Sequence, residues 1–156
     1  MYKFILTIFL LIPAFLLGQD YKIDIDSLNK KAKEYIHIDL DSAYYFANRS
    51  VVLSKHHQYK QGEMDGTFQL GRIYLDQARR SLALESAIES LKIADEIDSY
   101  KGRENAYNLL IKIYNHSNNL DEGLKISNLI LNLANEKQDS IQIAKAYNFL
   151  GIFKRK

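Results

Sequence analysis

The chain has 156 residues, 26% of them charged, with a net charge of +2 and no cysteine. That length suits one domain with a real core, and the composition is too apolar for a disordered chain. Disulfides, thiolate metal sites, cysteine nucleophiles and a lipidated leader cysteine are excluded, and the near-neutral balance argues against a nucleic-acid-binding surface.

The first predicted element is a leader. Lys3 is followed by an apolar run from Phe4 to Leu17. Fourteen residues of helix span roughly 21 Å, short of a hydrocarbon core of about 30 Å. Small Gly18 and polar Gln19 and Asp20 come next. Residues 1–19 are therefore expected to be a secretory signal peptide cut near Gly18 or Gln19, which places the rest of the chain outside the cytoplasm, in the periplasm or beyond. An uncleaved membrane anchor is the alternative. The single proline, Pro13, lies in this segment, so no proline interrupts a helix from Gln19 onward.

Beyond the leader the chain repeats itself. AYNLLIKIY at 106–114 returns as AYNFLGIFK at 146–154, and Leu70, Leu110 and Leu150 stand forty residues apart, as do Tyr74 and Tyr114. Behind each comes a second segment in the same register: Ala43, Ala47 and Val51 match Ala83, Ala87 and Leu91, and Leu84, Leu91 and Ala94 match Leu124, Leu131 and Ala134. A fixed period of this length marks a solenoid, and the 3.6-residue apolar spacing within each segment predicts two helices per unit. The units are expected at about 21–58, 59–98 and 99–138, followed by a single helix at 141–155. Asn118 and Asn119 suit the left-handed geometry of a helix end. Asp41-Ser42 and Asp121 sit where helices are expected to begin. Gly71, Ala83, Ala87 and Gly123 offer the short side chains that close helix pairs need, while Ile111 stands where Gly71 and Gly151 are small. On the last helix, Ile152 and Phe153 are expected to lack cover.

The pattern resembles the tetratricopeptide repeat in a longer, 40-residue form. The resemblance rests on LGRIY at 70–74 followed by Ala83, LIKIY at 110–114 followed by Gly123, and FLGIF at 149–153. It covers about residues 21–156, although the first copy is shorter by one residue. Arg79 and Arg80 stand where the family has a polar-aromatic turn, and its late helix-breaking proline is missing. The resemblance implies an all-α fold, a right-handed α-solenoid of antiparallel helix pairs, and a role in binding proteins or peptides. A leader followed by such repeats is also similar to the N-terminal sensor portions of certain bacterial two-component kinases and regulators. A truncated ligand-sensing input region is therefore the alternative to a standalone exported binder.

No catalytic constellation emerges, and no enzyme, cofactor or metal is expected. His56 and His57 are adjacent and cannot both face one point on a helix, and His37 and His116 are far apart in sequence. Asp24, Asp26, Asp39 and Asp41 do not follow a calcium-loop spacing and are better explained by capping and a solvated face, and Gly62 and Gly66 do not form a phosphate loop. What remains is a surface. In a solenoid of paired helices the first helices line the concave side. Residues on them that point away from the second helix are Asp65, Phe68, Arg72 and Asp76, then Asn105, Asn108, Lys112 and His116, then Lys145 and Asn148. Asparagine amides can hold an extended peptide backbone, and Arg72, Lys112 and Lys145 can meet a carboxylate. The expected partner is a protein or peptide, with no nucleic acid and no membrane beyond the leader. The exposed C-terminal helix offers a route to self-association.

Overall fold

The computed structural model describes residues 21–155. The expected signal peptide lies outside the described residues. Helix α1 runs through 21–35. It is followed by α2 (Leu40–His56), α3 (Lys60–Asp76), α4 (Arg80–Glu96), α5 (Tyr100–His116), α6 (Leu120–Glu136) and α7 (Ser140–Arg155). Among the described residues there is no strand, and none of these helices is long and apolar enough to cross a membrane. The architecture is an all-α solenoid: from α2 on, each helix packs on its sequence neighbours, and α3 also reaches α5.

The turns explain the regularity. Gln58, Ala78, Asp98, Asn118 and Gln138 all take left-handed backbone, with φ between 50° and 57°. In each turn the next residue sends its N–H back to the carbonyl five residues earlier, as in Tyr59 to Ser54 at 2.8 Å and Asn119 to Tyr114 at 2.9 Å. The left-handed residue itself donates to the carbonyl three residues earlier. Together these bonds form a Schellman motif, which satisfies the last helix carbonyls. The residue that closes it is also the N-cap of the next helix, so three residues end one helix and begin another.

One expectation about the helix ends needs correction. Asn118 is left-handed as expected, but Asn119 is not: it caps α6, accepting from the Glu122 N–H at 3.4 Å. Asp41 and Ser42 stand in the first turn of α2 as expected, and the N-cap is Asp39. The Asp39 carboxylate accepts from the Ser42 hydroxyl and from the Asp41 and Ser42 N–H groups, because it lies just outside the first turn where those donors are unpaired. The bond from the Ser42 hydroxyl, then the one from the Asp41 amide, hold this carboxyl below its ordinary value. The α1–α2 turn, 36–39, is one residue longer than the others and contains no left-handed residue.

The core sits between the two helix layers. Each second helix buries a narrow stripe at a 4-3-4 spacing: Ala43, Ala47, Ser50 and Ser54 on α2, then Ala83, Ala87, Ser90 and Ala94 on α4. Against these stripes lie glycines of the first helices. A Cβ at Gly62 would stand 2.5 Å from Ile25 Cγ2 and 2.7 Å from Ser54 Oγ, so α3 nests against α1 and α2 only without a side chain there. Further along, larger aliphatic residues take over, including Leu109, Leu110, Ile113, Ile126 and Ile130. Phe153 belongs to this cluster at 2% exposure. The expectation that it lacks cover is corrected: its ring lies over Gly123, whose missing side chain makes the space. Ile152, one residue away on the helix, does face outward.

Candidate functional site

Three first helices, α1, α3 and α5, together line one depression of about 630 Å³. Asp65, Phe68 and Arg72 enter it from α3, and Asn105 and Lys112 from α5. A smaller recess, about 70 Å³, adds Asn108 and has Phe68 and Leu109 as its apolar floor. Six of the ten residues singled out in the sequence thus share one surface. Lys145 and Asn148 are exposed on α7 and line neither recess, and Asp76 and His116 sit exposed at helix ends.

The placement follows from the packing. Ala106, Leu110 and Ile113 are buried, which turns Asn105, Asn108 and Lys112 away from the core at helical spacing. On α3, Gly66 and Ile73 face inward while Phe68 and Arg72 are half-buried at the rim. Arg72 donates from Nη1 to Gln69 Oε1 at 3.1 Å, and its guanidinium lies 5.9 Å from the Phe68 ring centre. A flexible cation is thereby held by one hydrogen bond and one aromatic face.

Lys30, Lys33, Arg72, Lys101 and Lys112 all line the depression, against Asp65 as the single acid among its lining residues. Lys101 pairs with Glu104 at 2.6 Å and Lys30 with Glu34 at 3.9 Å. Lys33 and Lys112 have no acidic partner among the described residues. Burial pushes the Asp65 carboxyl above its ordinary value, opposed by the Gln61 amide, which donates to it at 2.8 Å. The repeat pattern missed Asn29, Lys30, Lys33, Gln69 and Lys101. The α1 contribution escapes a forty-residue alignment because the first turn has a different length. The helical spacing of buried Ile25, Ala32 and Ile36 nevertheless leaves Lys30 and Lys33 off the core face of α1.

The other candidates have structural uses. His57 stacks on Tyr21 with ring centres 4.3 Å apart, and His56 meets His57 edge-on at 4.8 Å. Tyr74 and Tyr114 pack on the core, and burial raises both hydroxyls above their ordinary values. The Arg79 guanidinium covers the Tyr74 ring at 5.0 Å. Asp26 accepts the Tyr59 hydroxyl at 3.2 Å, which helps dock α1 on α3; burial first, then this carboxylate, pushes that phenol up to about 12. Among the described residues no three His, Asp or Glu side chains gather as a metal site requires. No protein-family model matches this chain, and a search of curated proteins finds no match either.

Proposed function

We propose that this chain is a non-catalytic, exported, tetratricopeptide-like module that holds an extended protein or peptide segment carrying carboxylates along the α1–α3–α5 face. The observation that carries the reading is the charge of the groove. Five basic side chains line it against one acid, Asp65. An incoming carboxylate meets Lys33 and Lys112 with no internal partner to displace. Asn105 and Asn108 offer both donor and acceptor to a peptide backbone, and the Phe68–Leu109 floor accepts a small apolar side chain. The leader supports export.

The test compares two labelled peptides of equal length, one rich in Asp and Glu and one with Asn and Gln in their places. The acidic peptide is expected to bind more tightly, and less so at high salt. Replacing Asn108 and Lys112 together by alanine should weaken its binding by about 1–3 kcal/mol while leaving the melting temperature nearly unchanged. Glu122 and Lys125, paired at 3.7 Å on α6, serve as the control. Equal affinity for both peptides, or loss of binding only in the α6 variant, would sink the proposal.

A further inference from the structure

A second surface, sharing no residue with the groove, lies on the outer sides of α2 and α4. It carries large apolar side chains in water: Tyr45 at 54% exposure, Val52 at 57% and Ile88 at 51%. Two depressions accompany them, one of about 380 Å³ beside Tyr45, Arg49 and Val52, and one of about 600 Å³ reaching from Lys55 across to Leu84 and Glu85. Exposed apolar side chains gathered beside such depressions mark a contact surface.

The charges say what fits it. Arg49 on α2 touches only the Tyr45 hydroxyl, at 3.3 Å, and has no acidic partner among the described residues. On α4, Glu85 likewise has no ion pair among the described residues, and Glu89 has only the loose contact to Lys92 at 4.0 Å. The outer stripe is therefore cationic and aromatic on α2, but acidic and aliphatic on α4. Both halves of a complementary pair sit on one face of one chain. The two helices run in the same direction, with α3 between them. A two-fold axis along that direction lays α2 of one copy on α4 of the other.

In the forty-residue register Arg49 corresponds to Glu89 and Tyr45 to Glu85, so the rotation brings Arg49 against these two carboxylates, one helical turn apart. It does so twice, since a two-fold contact repeats every pairing. Ile88 of each copy meets the depression beside Val52. We infer that this face is an isologous homodimer interface, closed by Arg49 against Glu85 and Glu89 and filled by Val52, Tyr45 and Ile88.

The experiment is sedimentation equilibrium on the full chain, produced in an exporting host and purified as that host processes it. The unmodified protein should show a concentration-dependent dimer that weakens with salt. Arg49→Glu puts a carboxylate against Glu85 and Glu89; Glu85→Lys with Glu89→Lys puts two cations against Arg49. Each variant alone should dimerise at least tenfold more weakly, with unchanged helicity by circular dichroism. Mixed in equal amounts they should associate again, because one junction keeps Arg49 against Glu85 and Glu89 and the other pairs the reversed charges. Three results would overturn the inference: a monomer at every concentration, a mixture that stays monomeric, or a dimer indifferent to these changes but lost on Ile141→Asp, which would put the contact on α7. The dimer test and the peptide test can fail separately, since the surfaces share no residue.

Discussion

Ser50 on α2 and Ile130 on α6 occupy the same place in the repeat, eighty residues apart, and both are buried. Gly71 on α3 and Ile111 on α5 form a second such pair. The backbone repeats, but what fills it does not. Around α1, α2 and α3 the helices approach closely across glycine, alanine and serine, and Asn29 Oδ1, Ser50 Oγ and Ser54 Oγ are buried with no hydrogen-bond partner. Around α5, α6 and α7 the same positions belong to a continuous aliphatic cluster. Backbone contact is accordingly more extensive between α3 and α4 than between α5 and α6, where Ile111 stands in the way. One periodic chain path is therefore filled in two ways: by small side chains at the α3–α4 contact and by larger aliphatic ones at the α5–α6 contact.

The aliphatic end should respond most to lost volume. Leu110 is 2% exposed within the largest cluster, and Leu110→Ala should destabilise the fold by about 2–5 kcal/mol, read from urea unfolding. A loss below about 0.5 kcal/mol, the scale of an exposed substitution, would mean that this cluster does not hold the C-terminal half together.

The glycine end should respond most to added volume. A Cβ at Gly71 would stand 2.8 Å from Leu109 Cδ2 and 3.2 Å from Ser86 Cβ. Gly71→Ile, which copies the α5 residue into α3, should cost about 1–3 kcal/mol by overpacking. If the substitution were neutral, the closeness of α3 and α4 would not depend on that glycine, and the contrast between the two ends would lose its cause.

How far the sequence reveals this molecule depends on which interaction sets each feature. Helix pairing was legible because it rests on side-chain volume at a fixed period, and volume is written in residue type: Ala43, Ala83 and Gly123 announce a buried small position in each unit. The turns were mostly hidden. Left-handed backbone usually calls for glycine or asparagine, yet Gln58, Ala78 and Gln138 adopt it, because the Schellman bonds to the preceding helix outweigh a local cost of about 1–2 kcal/mol. The start of α2 was legible in Asp39 and Asp41, but which carboxylate is the N-cap depends on the length of the preceding turn. In the groove, Asn105, Asn108 and Lys112 were legible from α5 alone. The cations of α1 were not, because they reach the site only through the packing of α1 on α3, which the offset first copy conceals.

The turns also allow a gain. Ala78 holds φ at 57° without the polar side chain that helps Asn118 tolerate the same angle. Ala78→Gly removes the steric cost but loosens the unfolded chain by about 0.4–1 kcal/mol. A net stabilisation of about 0.5–1 kcal/mol is expected after setting that loss against the left-handed penalty. Asn118→Gly should gain less. Equal gains at both turns would show that the asparagine side chain contributes nothing there.

A further contrast separates two serines in the same register. Ser90 Oγ donates to the Met64 carbonyl at 3.2 Å, bridging α4 to α3. Ser50 Oγ, equally buried, has no partner. Removing a hydroxyl that makes a buried bond costs that bond, whereas removing an unpartnered one relieves the cost of having buried it. Ser90→Ala should therefore lose about 1 kcal/mol, while Ser50→Ala should stay within about 0.5 kcal/mol of the parent or gain slightly. Both changes delete one atom from a stripe of small residues, so differences in volume largely cancel and hydrogen bonding is left as the variable. If Ser50→Ala lost as much as Ser90→Ala, the Ser50 hydroxyl would be satisfied in solution, and the N-terminal end would be better bonded than the contrast with α6 implies.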